Sequence, residues 1–112
     1  MNCLFCKIVE KAIPSNIIYE DDLVLAFNDI NPQAPVHFLV IPKKHIQSLN
    51  EVKEEDEILI SYIMKIIVKL AIEQNLDNGY RVVNNCGKDG GQTVEHLHFH
   101  VLGKREMLWP PG

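Results

Sequence analysis

Polar and apolar residues alternate strictly from His96 to Val101. His96, His98 and His100 fall on one side, and Leu97, Phe99 and Val101 fall on the other. A period of two is that of a β-strand, whose side chains point to opposite faces in turn. Residues 36–41 form a nearly unbroken apolar, β-rich run that reads as a central strand, and its one polar member is His37. Shorter strands are predicted over residues 17–19, 24–27 and 80–84. Leu59, Ile63, Ile66 and Leu70 recur at helical spacing, with Tyr62 and Ile67 widening the stripe. They predict a helix from about residue 53 to 75, with Asn50 as its N-cap. Glu51, Glu54, Glu55, Asp56 and Glu57 suit the positive end of that helix. A short helical pattern opens the chain and runs to about Lys11, ending at Pro14-Ser15. Between Asp29 and Pro35 lies a loop stiffened by two prolines.

About five short strands with one long helix on one face make an α+β domain with a mostly antiparallel sheet. No repeat, linker or low-complexity tract divides residues 1–112, so a single domain is expected. The apolar fraction of 46% and charged fraction of 23% are those of an ordinary globular protein. A net charge of −4 argues against a nucleic-acid surface, although a local nest of N–H groups still suits a small phosphate ligand. The start shows no basic stretch followed by an apolar run, and the longest apolar candidate, residues 58–72, is interrupted by Lys65 and Lys69. A cytoplasmic protein without a membrane partner is expected. Three cysteines, an odd number, do not make a disulfide framework.

The chemistry concentrates in the histidine row and in the turn before it, where Gly90 and Gly91 allow N–H groups to converge on an anion. Polar strand faces normally carry Thr, Lys, Glu or Ser, so a merely solvated face explains three imidazoles poorly. Same-face neighbours on a strand lie roughly 7 Å apart, which is long for three ligands to one ion. A phosphate that is held and attacked accounts for the row and the glycines together. Cys3-x-x-Cys6 is either half of a zinc knuckle completed by His45 and His96, or two small buried thiols in the first helix. Cys86 reads as a small filler beside the glycine loop. Phe5, Ile8, Phe27 and Ile30 are core residues unless they converge beside the histidines as a base pocket. Asp29 is a turn residue or a carboxylate that accepts both ribose hydroxyls.

His96-Leu-His98-Phe-His100-Val-Leu strongly resembles the signature of the histidine triad (HIT) family. Residues 31–45, Asp89-Gly-Gly-Gln-Thr93 and the Met107-Leu-Trp-Pro-Pro-Gly112 ending look like its Hint branch, the purine nucleoside phosphoramidases. The resemblance spans nearly the whole chain. It implies a homodimer in which two five-stranded sheets, each with one long helix and a short N-terminal one, join into ten strands. It also implies hydrolysis of adenosine monophosphoramidate or AMP linked to an amine. By the same resemblance His98 matches the nucleophile, and His96, His100 and His37 complete the cluster. Asn85, Gly91, Gln92 and Thr93 match phosphate or leaving-group contacts. Phe5, Ile8, Phe27 and Ile30 match the base pocket, Asp29 the ribose clamp, and Cys3, Cys6, His45 and His96 the zinc site of some members. Three positions depart from the branch: Thr93 stands for a usual Ser, Cys86 for an acidic residue, and Lys104 for a Gly.

The expected chemistry is double displacement at phosphorus through a nucleotidyl-histidine, with no cofactor and any zinc structural. The competing functions are a dinucleoside polyphosphate hydrolase, a non-catalytic nucleotide-binding dimer, and a metal-binding protein built on the histidine row.

Overall fold

A computed structural model describes residues 3–112. Five strands form one antiparallel sheet in the order β1-β2-β3-β5-β4: β1 Ile17–Glu20, β2 Val24–Asn28, β3 Val36–Pro42, β4 Tyr80–Val83 and β5 Phe99–Gly103. Helix α1, Leu4–Val9, precedes the sheet, and helix α2, Glu57–Glu73, connects β3 to β4. This is the expected α+β architecture, and every ladder in it is antiparallel.

β3 is central, as its apolar run predicts. It is apolar but for His37 because both faces of the sheet are covered there. On one face Val24, Ala26, Phe38, Val40, Phe99 and Val101 pack under α2 through Ile63, Ile66, Ile67 and Leu70. On the other face Leu25, Phe27, Leu39 and Ile41 pack under α1 through Phe5 and Ile8. The second layer is thin, because a six-residue helix cannot cover a sheet. The histidines stand on that face beside α1. No helix among the described residues is long and apolar enough to cross a membrane.

Two elements differ from the sequence pattern. The long helix starts at Glu57 rather than near residue 53, and its N-cap position is Asp56. Asn50 lies instead in a separate 3-10 turn, Leu49–Glu51, and a second one, Glu54–Asp56, leads into α2. There the Asp56 carboxylate turns back to accept the Lys53 N–H at 3.1 Å and the Lys44 ammonium at 2.5 Å, which tightens the entry into 3-10 geometry. At its other end the helix stops at Glu73, and Asn75 is left-handed at φ 61°. The second difference is in the histidine strand, which begins only at Phe99. His96 and His98 precede it: the ladders with β3 and β4 end at Phe99 and His100, and the Leu97 N–H turns instead to the Ile46 carbonyl at 2.7 Å.

Candidate active site

His96, His98 and His100 lie on the α1 side of the sheet, and Leu97, Phe99 and Val101 lie in the core beneath α2. The alternation therefore holds across the irregular stretch as well as the strand. His96 is fully buried, His98 nearly so, and His100 half-buried. Phe5 meets the His98 ring edge-on at 5.1 Å and the His96 ring at 6.1 Å, which ties the short helix to the histidine segment.

The hydrogen bonds fix which nitrogen carries each proton. A carbonyl can only accept, so His98 Nδ1–H donates to the His96 carbonyl at 2.7 Å. The lone pair of neutral His98 is thereby left on Nε2. A backbone N–H can only donate, so Gln33 N–H gives His37 Nδ1 its bond at 3.0 Å. Neutral His37 then holds its proton on Nε2, 2.9 Å from His100 Nδ1 and 3.4 Å from Asp29 Oδ2. His100 accepts on Nδ1 and carries its own hydrogen on Nε2. The pair His98 and His100 thus presents one nucleophilic lone pair and one donor, with ring centres 5.1 Å apart.

Burial pushes all four clustered histidines below the usual 6.5. For His100 burial acts first, then His98 and His37, and together they outweigh the pull of Asp29 and bring it to about 4. Burial lowers His37 against Asp29. It lowers His98 against the His96 carbonyl and Asp29. In His96 burial is joined by His45 and His98 and opposed by the Pro42 carbonyl.

Beside His98 and His100 opens a cleft of about 230 Å³. This is below the roughly 300–1,000 Å³ of whole-ligand pockets and has the scale of part of a ligand. Phe5, Ile8, Phe27, Ile30 and Asp29 all line it, together with Thr93, so the residues expected to form a base and ribose pocket do converge. Ile30 is almost wholly exposed at the rim. Asp29 Oδ1 accepts the Asn31 N–H at 2.8 Å, which leaves Oδ2 turned toward His37. Leu4, Ile13, Pro14, Ser15, Leu39 and Val94 complete the walls. These six carry no signal of their own in the sequence, because an apolar or small wall residue looks like any core residue.

Asn85, Gly91 and Gln92 stand outside the residues that line the cleft. Gln92 braces the loop: its Oε1 accepts the Gly87 N–H at 2.9 Å, and its Nε2 donates to the Gln47 and Val94 carbonyls at 2.8 and 2.9 Å. The N–H groups of Gly91 and Gln92 close the turn on Lys88 and Gly87 at 3.0 Å each. The glycine turn therefore spends these donors internally rather than aiming them at an anion. Asn84, which the sequence pattern treats as a strand end, does more. Its Nδ2 donates to the His98 carbonyl at 2.9 Å, replacing the ladder bond that the ended strand β4 cannot supply.

Among the described residues, two clusters have metal-ligating side chains within 4.8 Å of one another, and proton bookkeeping separates them. In Cys3, Cys6, His45 and His96, the contacts are 3.4 Å from Cys3 Sγ to His96 Nδ1 and 3.3 Å from Cys6 Sγ to His45 Nδ1. Cys6 Sγ lies 3.5 Å from His96 Nδ1, and the two Nδ1 atoms are 3.2 Å apart. A tetrahedral zinc with bonds of about 2.0–2.3 Å spaces its ligands by roughly 3.3–3.8 Å, so the donor set fits. His96 Nε2–H donates to the Pro42 carbonyl at 2.8 Å, which leaves Nδ1 free to ligate and fixes the ring. Burial, aided by Cys3, pushes the Cys6 thiol up to about 11, a proton that a metal would have to displace. In Asp29, His37 and His100 the bookkeeping fails. Gln33 N–H occupies His37 Nδ1, so His37 cannot offer Nε2 to a metal while remaining neutral. That cluster is a hydrogen-bonded array rather than a metal site.

A HIT domain model matches residues 10–107 of the sequence. The chain belongs to the HIT family. It is 50% identical over 109 residues, 97% of this chain and 96% of the relative, to an uncharacterised HIT-like protein of Synechococcus elongatus. It is also similar to a crystal structure of a HIT family hydrolase from Legionella pneumophila, with a TM-score of 0.97 and 51% identity covering 99% of this chain and 100% of the other. A histidine triad nucleotide-binding protein from Candida albicans matches with a TM-score of 0.85 and 35% identity, covering 94% of this chain and 76% of that one. The HIT signature is thus the segment whose protons and contacts are described above.

Proposed function

We propose that this HIT protein is a purine nucleoside phosphoramidase of the Hint type, which cleaves the P–N bond of an adenosine monophosphoramidate through a nucleotidyl-histidine. The observation that carries the reading is the tautomer of His98: its Nδ1–H is tied to the His96 carbonyl, so its free lone pair is Nε2, beside the cleft. The names of the Legionella and Candida relatives, a hydrolase and a nucleotide-binding protein, support a nucleotide substrate.

In this reading the base enters between Phe5, Ile8, Phe27 and Ile30, and Asp29 accepts from the ribose hydroxyls. His98 Nε2 attacks the α-phosphorus as the P–N bond to the amine breaks. The Nε2–H of His100, braced by His37, donates to a phosphoryl oxygen as charge develops there. The Thr93 hydroxyl, at the cleft mouth, passes a proton to the departing amine. Water then attacks the phosphorus, breaks the bond to His98 and releases AMP. Gln92 acts indirectly, by bracing the loop that carries Thr93 to the cleft, while the Gly91 and Gln92 N–H groups stay within the turn. No resident metal takes part in the reaction. Zinc bound by Cys3, Cys6, His45 and His96 would supply a structural cross-link between α1, the segment after β3 and the histidine segment. We also propose a homodimer that extends the sheet to ten strands.

The decisive experiment is His98→Asn with adenosine phosphoramidate, together with mass spectrometry of the wild type quenched during turnover. A loss of at least about 10³-fold in kcat and a nucleotidyl adduct on His98 are expected. Near wild-type turnover by the variant would refute the assignment. Faster turnover of diadenosine polyphosphate than of phosphoramidate would move the protein to the other enzymatic branch. AMP binding without turnover of either would make it a sensor.

A further inference from the structure

One residue joins the Cys/His cluster to the nucleophile. His96 offers Nδ1 to the cluster, is pinned from behind by the Pro42 carbonyl, and through its own carbonyl fixes the proton of His98. A second strand of the same connection runs through α1. Cys3 and Cys6 anchor that helix, Cys3 also capping it by accepting the Cys6 N–H at 3.3 Å. Between them sits Phe5, whose ring touches both His96 and His98 and forms a wall of the cleft along with Leu4 and Ile8. A six-residue helix has too few internal hydrogen bonds to persist alone, so its place depends on what fastens it. Phe5 and Ile8 fasten it by burial, and the two cysteines fasten it by whatever they bind.

We infer that metal loading of Cys3, Cys6, His45 and His96 sets nucleotide affinity, by holding the α1 wall of the cleft and the His96–His98 segment in register. The centre is then a positioning device for the binding cleft. It differs from a staple for the fold, because α2 and the ladders of the sheet make their contacts without it. The inference rests on the proposed nucleotide site for its ligand, but not for its structural consequence.

Thermodynamic linkage makes the coupling reciprocal: the factor by which zinc raises AMP affinity must equal the factor by which AMP raises zinc affinity. Full-length protein is measured zinc-loaded and after chelation. The readouts are calorimetry with AMP, zinc competition titrations with and without AMP, and hydrogen exchange. Cys3→Ser/Cys6→Ser serves as a second route to the metal-free state. Expected is one zinc per chain, a drop in AMP affinity of about tenfold on zinc removal, and the same factor for zinc with and without AMP. Exchange should rise in residues 4–9, 43–46 and 94–98 only, and KM should rise more than kcat falls. Equal AMP affinity in both states overturns the inference, as does the absence of stoichiometric zinc. Exchange rising across α2 and the whole sheet also overturns it, since the metal would then be a staple. Should the loaded protein bind no AMP, the nucleotide reading fails. The exchange pattern alone then decides whether the metal holds α1 and the histidine segment.

Discussion

Gly90 closes the turn before the histidines because it has no side chain. A Cβ built there would lie 2.4 Å from the Cys86 carbonyl oxygen and 2.8 Å from the Cys86 nitrogen. Both are backbone atoms of a turn braced by Gln92, so neither can swing aside. Gly90→Ala is expected to cost about 1–3 kcal/mol, the usual range for forcing atoms into a packed place. The distortion should reach Thr93 and Val94 in the cleft wall. Urea unfolding measures the first effect and AMP titration the second; an unchanged midpoint would mean that the turn yields. The positions where sequence reading and structure part are also of single-residue size. The alternation fixes which way each histidine points, since periodicity is local. It could not tell that Gly91 and Gln92 spend their N–H groups inside the turn, because that depends on where the chain folds back. The bond from Asn84 to the His98 carbonyl was hidden for the same reason. Lys104 holds φ 70°, in the left-handed region that favours glycine.

Among the elements, the hairpin of β1 and β2 is tied to α2 by one carboxylate. Asp21 accepts the Leu23 and Val24 N–H groups at 2.8 and 2.9 Å, the Tyr19 hydroxyl at 2.7 Å and, from α2, the Tyr62 hydroxyl. Burial pulls this carboxyl up, but the Tyr62 and Tyr19 hydroxyls and the two N–H groups outweigh it and bring it down to about 2. A depressed carboxyl stabilises the fold above its unfolded value near 3.9, and that contribution is lost as pH falls toward 2. Tyr62→Phe removes the inter-element donor alone. It is expected to cost about 1.5–3 kcal/mol at neutral pH, the range for a hydrogen bond to a charged group. AMP binding should not change, since Tyr62 packs on the face away from the cleft. A wild-type urea midpoint would show that the tie carries no load. The five strands and the long helix were legible because each carries a repeating pattern of at least a few residues. The start of α2 was not. Its acidic prelude suits any helix entrance, and only the contacts of Asp56 with Lys44 and Lys53 tighten residues 54–56 into a 3-10 turn.

At the scale of the molecule, one sheet serves two purposes on its two faces: α2 seals one over an apolar core, and the other holds a cluster of neutral imidazoles. That division predicts how the protein responds to acid. His100 faces Asp29, His37 and His98, and its pKa falls from 6.5 to about 4 in the folded state. With the folded value below the unfolded one, the unfolded chain binds the proton first as pH drops. Stability from this group is complete above about pH 6.5 and declines down to about pH 4, amounting to a loss on the order of 2 kcal/mol by about pH 5. His37, lowered in the same direction, adds to the slope. Urea unfolding of wild type and His100→Gln over this range separates the contribution. The variant starts less stable, having lost the bond to His37, but should lose less with falling pH, so the two curves converge. Metal release on acidification affects both proteins alike and cancels in the difference. Parallel curves would mean that His100 titrates as it does in water, and the protected, neutral cluster on which the proposed chemistry depends would not exist.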